Sequence, residues 1–176
     1  MLSDADLVGA ARRGSDPAFE QLALRHAQAL RTFLRGVCRE PALADDLAQD
    51  ALIRAWQRLD QLKDAAAFKS WLFGIGWRLA SEDRRAQGRR VQREQDWFET
   101  DRQTQAEGVS PEEALALEAA MRSLTPDQRA CVSLCLAGGW SHGDAAQALD
   151  MPVGTVKSHI KRGRARLLAA LGGDTS

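Results

Sequence analysis

Apolar residues recur along this chain at intervals of three, four and seven positions, which places them on one face of a helix. Helix start and stop signals flank these segments, as where Gly14 follows the first and Pro17 opens the second. No segment alternates apolar and polar residues in the manner of a half-buried strand. The pattern therefore predicts an all-α protein. The helices predicted in the first half of the chain cover approximately residues 4–13, 17–37, 41–59 and 67–86.

The helical pattern stops after Arg90 and begins again at Ser110. Residues 91–109 are polar and acidic without periodicity, which is typical of a flexible linker, although Trp97 and Phe98 interrupt it. Ser110 and Pro111 then open a new helix with a cap and a proline. We therefore expect two small helical domains, residues 1–90 and 110–176, joined by an acidic linker.

Two predicted helices around a tight turn lie near the C-terminus. The first runs from about Ser141 to Leu149, and Asp150 to Pro152 form the turn. In the second helix the apolar residues Val153, Val156, Ile160 and Leu167 share one face, and the opposite face is basic. This layout predicts a helix-turn-helix unit, whose second helix binds the major groove of DNA. A solvated basic face, or one that binds an acidic protein, is the alternative.

The fourth predicted helix joins an aromatic segment to a basic one. Phe68, Trp71, Phe73 and Trp77 are followed by six arginines between residues 78 and 93. Aromatic rings stack on unpaired bases while guanidinium groups bind phosphates, so this combination favours single-stranded DNA. Each aromatic taken alone is more typical of a helical core.

The third predicted helix is acidic near its N-terminus, and no basic residue lies between Glu40 and Arg54. Acidic side chains there interact favourably with the helix dipole, which is a sufficient structural explanation. Such a surface also repels DNA and suits a basic protein partner.

Basic and acidic residues are segregated along the chain, although their numbers are equal. The chain has 24 basic and 24 acidic residues, yet the basic ones crowd residues 84–93 and the last helix. Overall neutrality therefore does not argue against nucleic acid. Cys38, Cys131 and Cys135 lie in apolar helical patterns and no signal peptide precedes them, which predicts a reducing cytoplasm and no metal site. We expect no cofactor, no catalytic residue and no membrane insertion.

Five motifs in order resemble the extracytoplasmic-function (ECF) sigma factors, the two-domain branch of the bacterial sigma-factor superfamily. They are DPAFEQL, DDLAQDALIRAW, FKSWLFGIGWRLASEDRR, SLTPDQRACVSL and DMPVGTVKSHIKRGRARL. The resemblance covers nearly the whole chain except the linker. It implies a transcription initiation factor that acts on the bacterial nucleoid as part of the polymerase holoenzyme.

The resemblance also implies roles for particular residues. The first domain would bind core RNA polymerase, at a coiled coil of the largest subunit, through Asp45, Asp46, Gln49 and Asp50. It would bind the melted minus-10 element through Lys63, Asp64, Lys69, Trp71, Trp77, Arg78, Arg84 and Arg85. The second domain would contact the minus-35 element of promoter DNA as duplex through Thr155, Lys157, Ser158, Lys161 and Arg162. An anti-sigma factor that wedges between the domains is a further implied partner.

Some residues depart from the family pattern. Arg78 and Glu82 replace the usual asparagine and aspartate, so base selection at the minus-10 element is expected to be atypical. His159 and Gly163 replace the usual arginine and alanine in the last helix. A helical glycine costs roughly 1 kcal/mol relative to alanine, so Gly163 is expected to loosen this helix.

Two other functions remain open from the residues alone. A stand-alone helix-turn-helix regulator would bind duplex DNA without polymerase, as a dimer on repeated half-sites. An adaptor protein would use the basic helix to bind an acidic partner and would not require DNA.

Overall fold

The computed structural model describes residues 1–93 and 110–172 of the chain. Within these residues it contains eight α-helices and no strand, which confirms the predicted fold class. None of the described helices combines the length and the apolar character that crossing a bilayer requires. The helices are α1 (Asp4–Arg12), α2 (Asp16–Val37), α3 (Pro41–Gln57), α4 (Phe68–Arg93), α5 (Pro111–Arg122), α6 (Pro126–Val132), α7 (His142–Leu149) and α8 (Val153–Ala170).

Reciprocal caps begin three of the helices. The side chains of Ser3, Ser110 and Thr125 each accept a hydrogen bond from the backbone three residues later, and that later side chain bonds back to the capping residue. Such caps satisfy backbone donors that have no partner inside the helix. The predicted start at Ser110 is therefore confirmed.

Helix α4 continues to Arg93, beyond the predicted end near residue 86. Its last turns are rich in arginine and contain few apolar residues. Arginine is a good helix former even where no apolar face marks the helix, so periodicity alone could not show this extension.

The N-terminal helices α1–α4 surround a core of large side chains. Phe68, Leu72 and Phe73 of α4 are at most 1% exposed. Burial of each such side chain contributes about 1.5–3 kcal/mol relative to leaving it in water. Polar contacts also hold α1 against the other helices. His26 Nε2 of α2 lies 2.7 Å from the Asp4 carboxylate, and the Arg12 guanidinium donates to the Leu59 carbonyl in the turn before α4.

The C-terminal helices α5–α8 form a second group. Helix α6 continues into a π-helical segment, Ser133–Ala137, that ends near Gly139, which has a φ of 67°. Glycine adopts this left-handed conformation without steric cost, so the chain can turn there and end the helical segment.

The two groups of helices pack directly against each other. Helix α7 lies on α4, and the π-helical segment lies on α2. Buried side chains of both groups, from Leu7 to Val156, form one continuous apolar cluster.

Candidate nucleic-acid interface

The turn between α7 and α8 sets the direction of α8 relative to α7. Asp150 adopts a left-handed conformation with a φ of 53°, which aspartate tolerates better than most residues. The Met151 amide donates to the Ala146 carbonyl at 3.0 Å, and the Ser141 side chain caps α7. The predicted helix-turn-helix unit is therefore present with nearly the predicted bounds.

Helix α8 divides into a buried face and a polar face. Val156 is fully buried, and Ile160 and Leu167 are half-buried as predicted. The prediction was wrong for Val153, which is 42% exposed because it opens the helix one turn before Val156 reaches the core. The predicted minus-35 contacts, Thr155, Lys157, Ser158, Lys161 and Arg162, are all exposed. The polar face is therefore accessible to a ligand along its length.

Two residues of α8 have structural positions that the sequence pattern did not predict. Gly163 is buried, and a Cβ atom there would lie 2.8 Å from Val132 Cγ2. Gly163 therefore allows α8 to approach α6 closely, which corrects the expectation that it loosens the helix. Arg166 donates to the Ser123 carbonyl at 3.1 Å and so ties α8 to the turn after α5.

The predicted minus-10 residues of α4 differ widely in exposure. The aromatic rings are mainly core: Phe68 and Phe73 are buried, Trp77 is 6% exposed, and Trp71 is half-buried. Arg78 and Arg85 are exposed, whereas the Arg84 guanidinium lies over the Trp77 ring, 5.3 Å from its centroid. Stacking of a base on Trp77 would require this ring to be uncovered.

A cavity of about 660 Å³ brings most of these predicted residues together. Lys63 and Asp64 of the preceding loop line it, with Trp71, Arg78 and Arg85 of α4. The opposite wall is Gln147–Asp150, at the end of α7. Lys69 lies outside this lining, where its ammonium group is 4.4 Å from the ring centroid of Trp140.

The residues predicted to bind polymerase lie on α3, beside a groove of about 530 Å³ between α2 and α3. Asp46 and Gln49 are exposed on its wall, and Asp50 is exposed on the same helix. Arg35 of α2 donates two hydrogen bonds to Asp45, at 3.1 and 2.8 Å. These bonds lower the pKa of Asp45, so a basic partner must compete with Arg35 for this carboxylate.

The three cysteines are free thiols. Cys131 is buried, as its apolar neighbours predict, and desolvation raises the pKa of its thiol to about 12. Within residues 1–93 and 110–172, no group of three or more histidine, cysteine or acidic side chains is arranged to hold a metal ion.

Two known protein families match successive parts of the chain. Residues 22–90 match Sigma-70 region 2, and residues 114–167 match Sigma-70, region 4. The ECF RNA polymerase sigma factor SigM of Mycobacterium tuberculosis is 36% identical over 172 residues, which are 97% of this chain and 85% of that protein. This chain belongs to the ECF sigma factors.

Other relatives and solved structures agree with this assignment. The ECF RNA polymerase sigma-E factor of Escherichia coli K12 is 31% identical to this sigma factor, over 93% of this chain and 91% of that protein. The sigma factor RpoE from Bartonella quintana, solved with the anti-sigma factor NepR, has a TM-score of 0.76 at 32% identity over 89% of this chain and 98% of its own. CnrH, solved with the cytosolic domain of CnrY, has a TM-score of 0.70 at 28% identity, over 98% of this chain and 99% of its own.

Family membership gives the general activity of this sigma factor. Such proteins direct RNA polymerase to promoters in transcription initiation, and they are not enzymes. Trp97 and Phe98, for which no role was predicted, lie outside the described residues.

The sequence pattern missed the residues through which the C-terminal helices contact α4. Trp140 packs on Phe73, with ring centroids 4.7 Å apart, and Gly74 faces the backbone of Ala148. A lone tryptophan in a Gly-rich turn and small residues within helices carry no periodic signal. These contacts could be found only in the folded chain.

Proposed function

We propose that this sigma factor directs core RNA polymerase to promoters by contacting two DNA elements in different states. Helix α8 binds the minus-35 element as intact duplex, while α4 and the loop before it bind the melted minus-10 strand. The exposed face of α8 carries this proposal, because polar and basic side chains continue from Thr155 to Arg162 without an acidic residue. Such a face suits base edges and phosphates of the major groove.

The minus-10 part of the proposal rests on the cavity beside α4. Arg78 and Arg85 supply exposed cations for phosphates, and the half-buried Trp71 supplies an aromatic side chain at the cavity wall. Lys63 and Asp64 offer a donor and an acceptor to a base that leaves its stack.

Core polymerase is proposed to bind α3 through Asp45, Asp46, Gln49 and Asp50. Three of these four side chains are exposed, and they lie on one helix beside an open groove. A basic surface of the polymerase, such as the coiled coil of its largest subunit, has the complementary charge. Because this sigma factor acts together with RNA polymerase, it works in the interior of the cell.

Run-off transcription tests the DNA assignment. Promoters are selected with reconstituted holoenzyme from a fragment library of the host genome, and each base pair of the minus-35 element is then changed in turn. We expect Arg162→Ala to weaken discrimination at one base pair by about 1–3 kcal/mol, which is the usual contribution of a bidentate base contact. Arg164→Ala, which removes an exposed arginine of the same helix, should act equally on all templates. An equal loss on all templates for Arg162→Ala would rule out its base contact.

Gel filtration with core polymerase tests the docking assignment. Asp50→Lys should abolish co-elution, because it places a cation on the acidic face. Glu112→Lys makes the same change of charge at an exposed position of α5 and should leave co-elution intact. Both variants should keep the wild-type circular dichroism spectrum. Co-elution of Asp50→Lys with the polymerase would contradict the assignment.

We also infer that an anti-sigma factor holds this protein inactive. Its similarity to RpoE, which was solved with the anti-sigma factor NepR, covers 89% of this chain and includes both groups of helices. A partner that wedges between the two groups, as the resemblance implies, would have to separate the close contact between Gly74 and the Ala148 carbonyl oxygen. A captured protein that inhibits run-off transcription by wild-type holoenzyme would support this inference.

A further inference from the structure

The loop that joins α3 to α4 contains two short 3-10 turns, and two leucines fix it to the core. Leu59 and Leu62, three residues apart in a polar stretch, are each 5% exposed. Lys63 and Asp64 follow directly and are exposed at the cavity proposed to receive the minus-10 strand. The side chains that would contact a base therefore extend from a segment whose preceding residue is buried.

Arg12, the last residue of α1, holds the backbone of the same loop. Its Nε and Nη2 atoms donate to the Leu59 carbonyl at 3.3 and 3.0 Å, and Nη2 also donates to the Leu62 carbonyl. A guanidinium presents its donors in a planar fork, so one side chain can join two carbonyls. Arg12 thus bridges the start of the loop and the residue immediately before Lys63.

The two ends of this bridge are themselves held in place. Helix α1 is fixed to the core, because Leu7 and Val8 are at most 1% exposed. On the loop, the Ala66 amide donates to Asp64 Oδ1 at 3.0 Å, which sets the direction of the Asp64 carboxylate. The guanidinium therefore connects a rigid helix to a loop whose acidic side chain already has a defined orientation.

We propose that Arg12 is a positioning residue for the minus-10 contacts, whose guanidinium holds the α3–α4 loop in the shape that presents Lys63 and Asp64 to a base of the melted strand. The proposal rests on the proposed function, because it concerns the loop assigned to that strand. An ordered loop loses less conformational entropy on binding. Polar groups that cannot shift are also left unpaired by a wrong base, so they discriminate between bases.

Three substitutions separate bridging from other roles of the charge. Arg12→Gln removes both the charge and the fork. Arg12→Lys keeps the charge, which distinguishes bridging from direct binding of a phosphate by the exposed Arg12 side chain. Arg13→Gln is the matched control, because Arg13 is the adjacent exposed arginine and its guanidinium lies beside Gly9 of α1.

Amide hydrogen exchange of the full chain without DNA tests the effect on the loop. The Leu62 amide donates to the Leu59 carbonyl at 3.2 Å, and the Ala67 amide donates to the Asp64 carbonyl at 3.0 Å. Exchange in peptides covering residues 59–67 therefore reports how often the loop opens. We expect about tenfold faster exchange for Arg12→Gln, a smaller increase for Arg12→Lys and the wild-type rate for Arg13→Gln. Exchange of Arg12→Gln at the wild-type rate would overturn the proposal.

Run-off transcription with reconstituted holoenzyme tests the effect on base selection. The templates are selected promoters in which each base pair of the minus-10 element is changed in turn. Arg12→Gln should reduce discrimination at one position by about tenfold, nearly as much as Asp64→Ala, which is the size expected for one polar contact. Because both act through one loop, the double variant should be little worse than Asp64→Ala alone. Unchanged co-elution with core polymerase would show that the variants are folded.

The outcomes distinguish this proposal from the proposed function. If Lys63→Ala and Asp64→Ala keep wild-type discrimination, the loop does not contact the minus-10 bases, and both proposals fail. If those two variants lose discrimination but Arg12→Gln keeps it, the proposed function stands and Arg12 is not a positioning residue. If Arg12→Gln loses activity equally on all templates and Arg12→Lys restores it, Arg12 binds a phosphate and the proposal is overturned.

Discussion

Gly163 offers a sharp test of how α8 is fixed in the fold. Helix propensity alone predicts that Gly163→Ala stabilises the protein by about 1 kcal/mol, since alanine is the better helix former. The structure predicts the opposite, because the new methyl carbon would lie 2.8 Å from Val132 Cγ2. Carbon atoms at van der Waals contact lie about 3.5–4.0 Å apart, so one of the two helices must shift.

The expected size of the effect follows from these two terms. Forcing a methyl group into a packed core costs about 1–3 kcal/mol, and Val132 is a stiff β-branched side chain that is only 5% exposed. Subtracting the gain in helix propensity leaves a net loss of about 1 kcal/mol in the free energy of unfolding. In a Val132→Ala background the overlap disappears, so Gly163→Ala should there become stabilising by up to about 1 kcal/mol.

Urea denaturation followed by far-ultraviolet circular dichroism measures the four free energies of this double-mutant cycle. Gly154→Ala is the control, because Gly154 belongs to the same helix and nothing lies within 4 Å of its added Cβ. It should be neutral or stabilising. If Gly163→Ala stabilises wild type as much as the control does, the close contact between α8 and α6 does not determine the packing.

Two further predictions concern titratable groups. Desolvation lowers the pKa of His26 below 6.5 despite the nearby Asp4 carboxylate, so the unfolded chain takes up a proton first as pH falls. The contribution of neutral His26 to the free energy of unfolding is therefore fully present above about pH 6.5 and is lost as the pH falls below that value. Urea denaturation across this pH range should show a smaller loss of stability for His26→Gln than for wild type. Equal losses in the two proteins would contradict the role of His26. Burial raises the pKa of the Cys131 thiol to about 12 and that of Cys38 to about 11, so both remain protonated near neutral pH. Mass spectrometry should show that both thiols are alkylated much more slowly in the native chain than in the urea-unfolded chain. Similar rates in the two states would refute the protection of these thiols by burial.

Local signals accounted for most of the helices. Ser110 was recognised as a helix start because a cap depends on residues within one turn. The extension of α4 to Arg93 was missed because its last turns are polar and show no apolar stripe. Val153 was misplaced because periodicity shows which residues share a face and not where along the helix the core begins.

The candidate site was predicted less completely than the helices. The exposed polar face of α8 follows from helical spacing, since a face without apolar residues has nothing to bury. The aromatic residues of α4 could not be sorted in the same way. Phe73 and Trp77 are as apolar as Trp71, yet only Trp71 is half-buried at the cavity, because exposure depends on neighbours far along the chain.

The amino-acid sequence by itself determined the all-α class, the helix-turn-helix unit and the separation of acidic and basic faces. These properties arise from contacts within a few residues and from the arrangement of charges on each helix. Only the tertiary structure decided that α7 packs on α4, that Gly163 contacts Val132 and that the end of α7 borders the cavity. Such contacts join residues that are distant in the chain, and they depend on the small size of glycine and alanine, which leaves no periodic mark in the sequence.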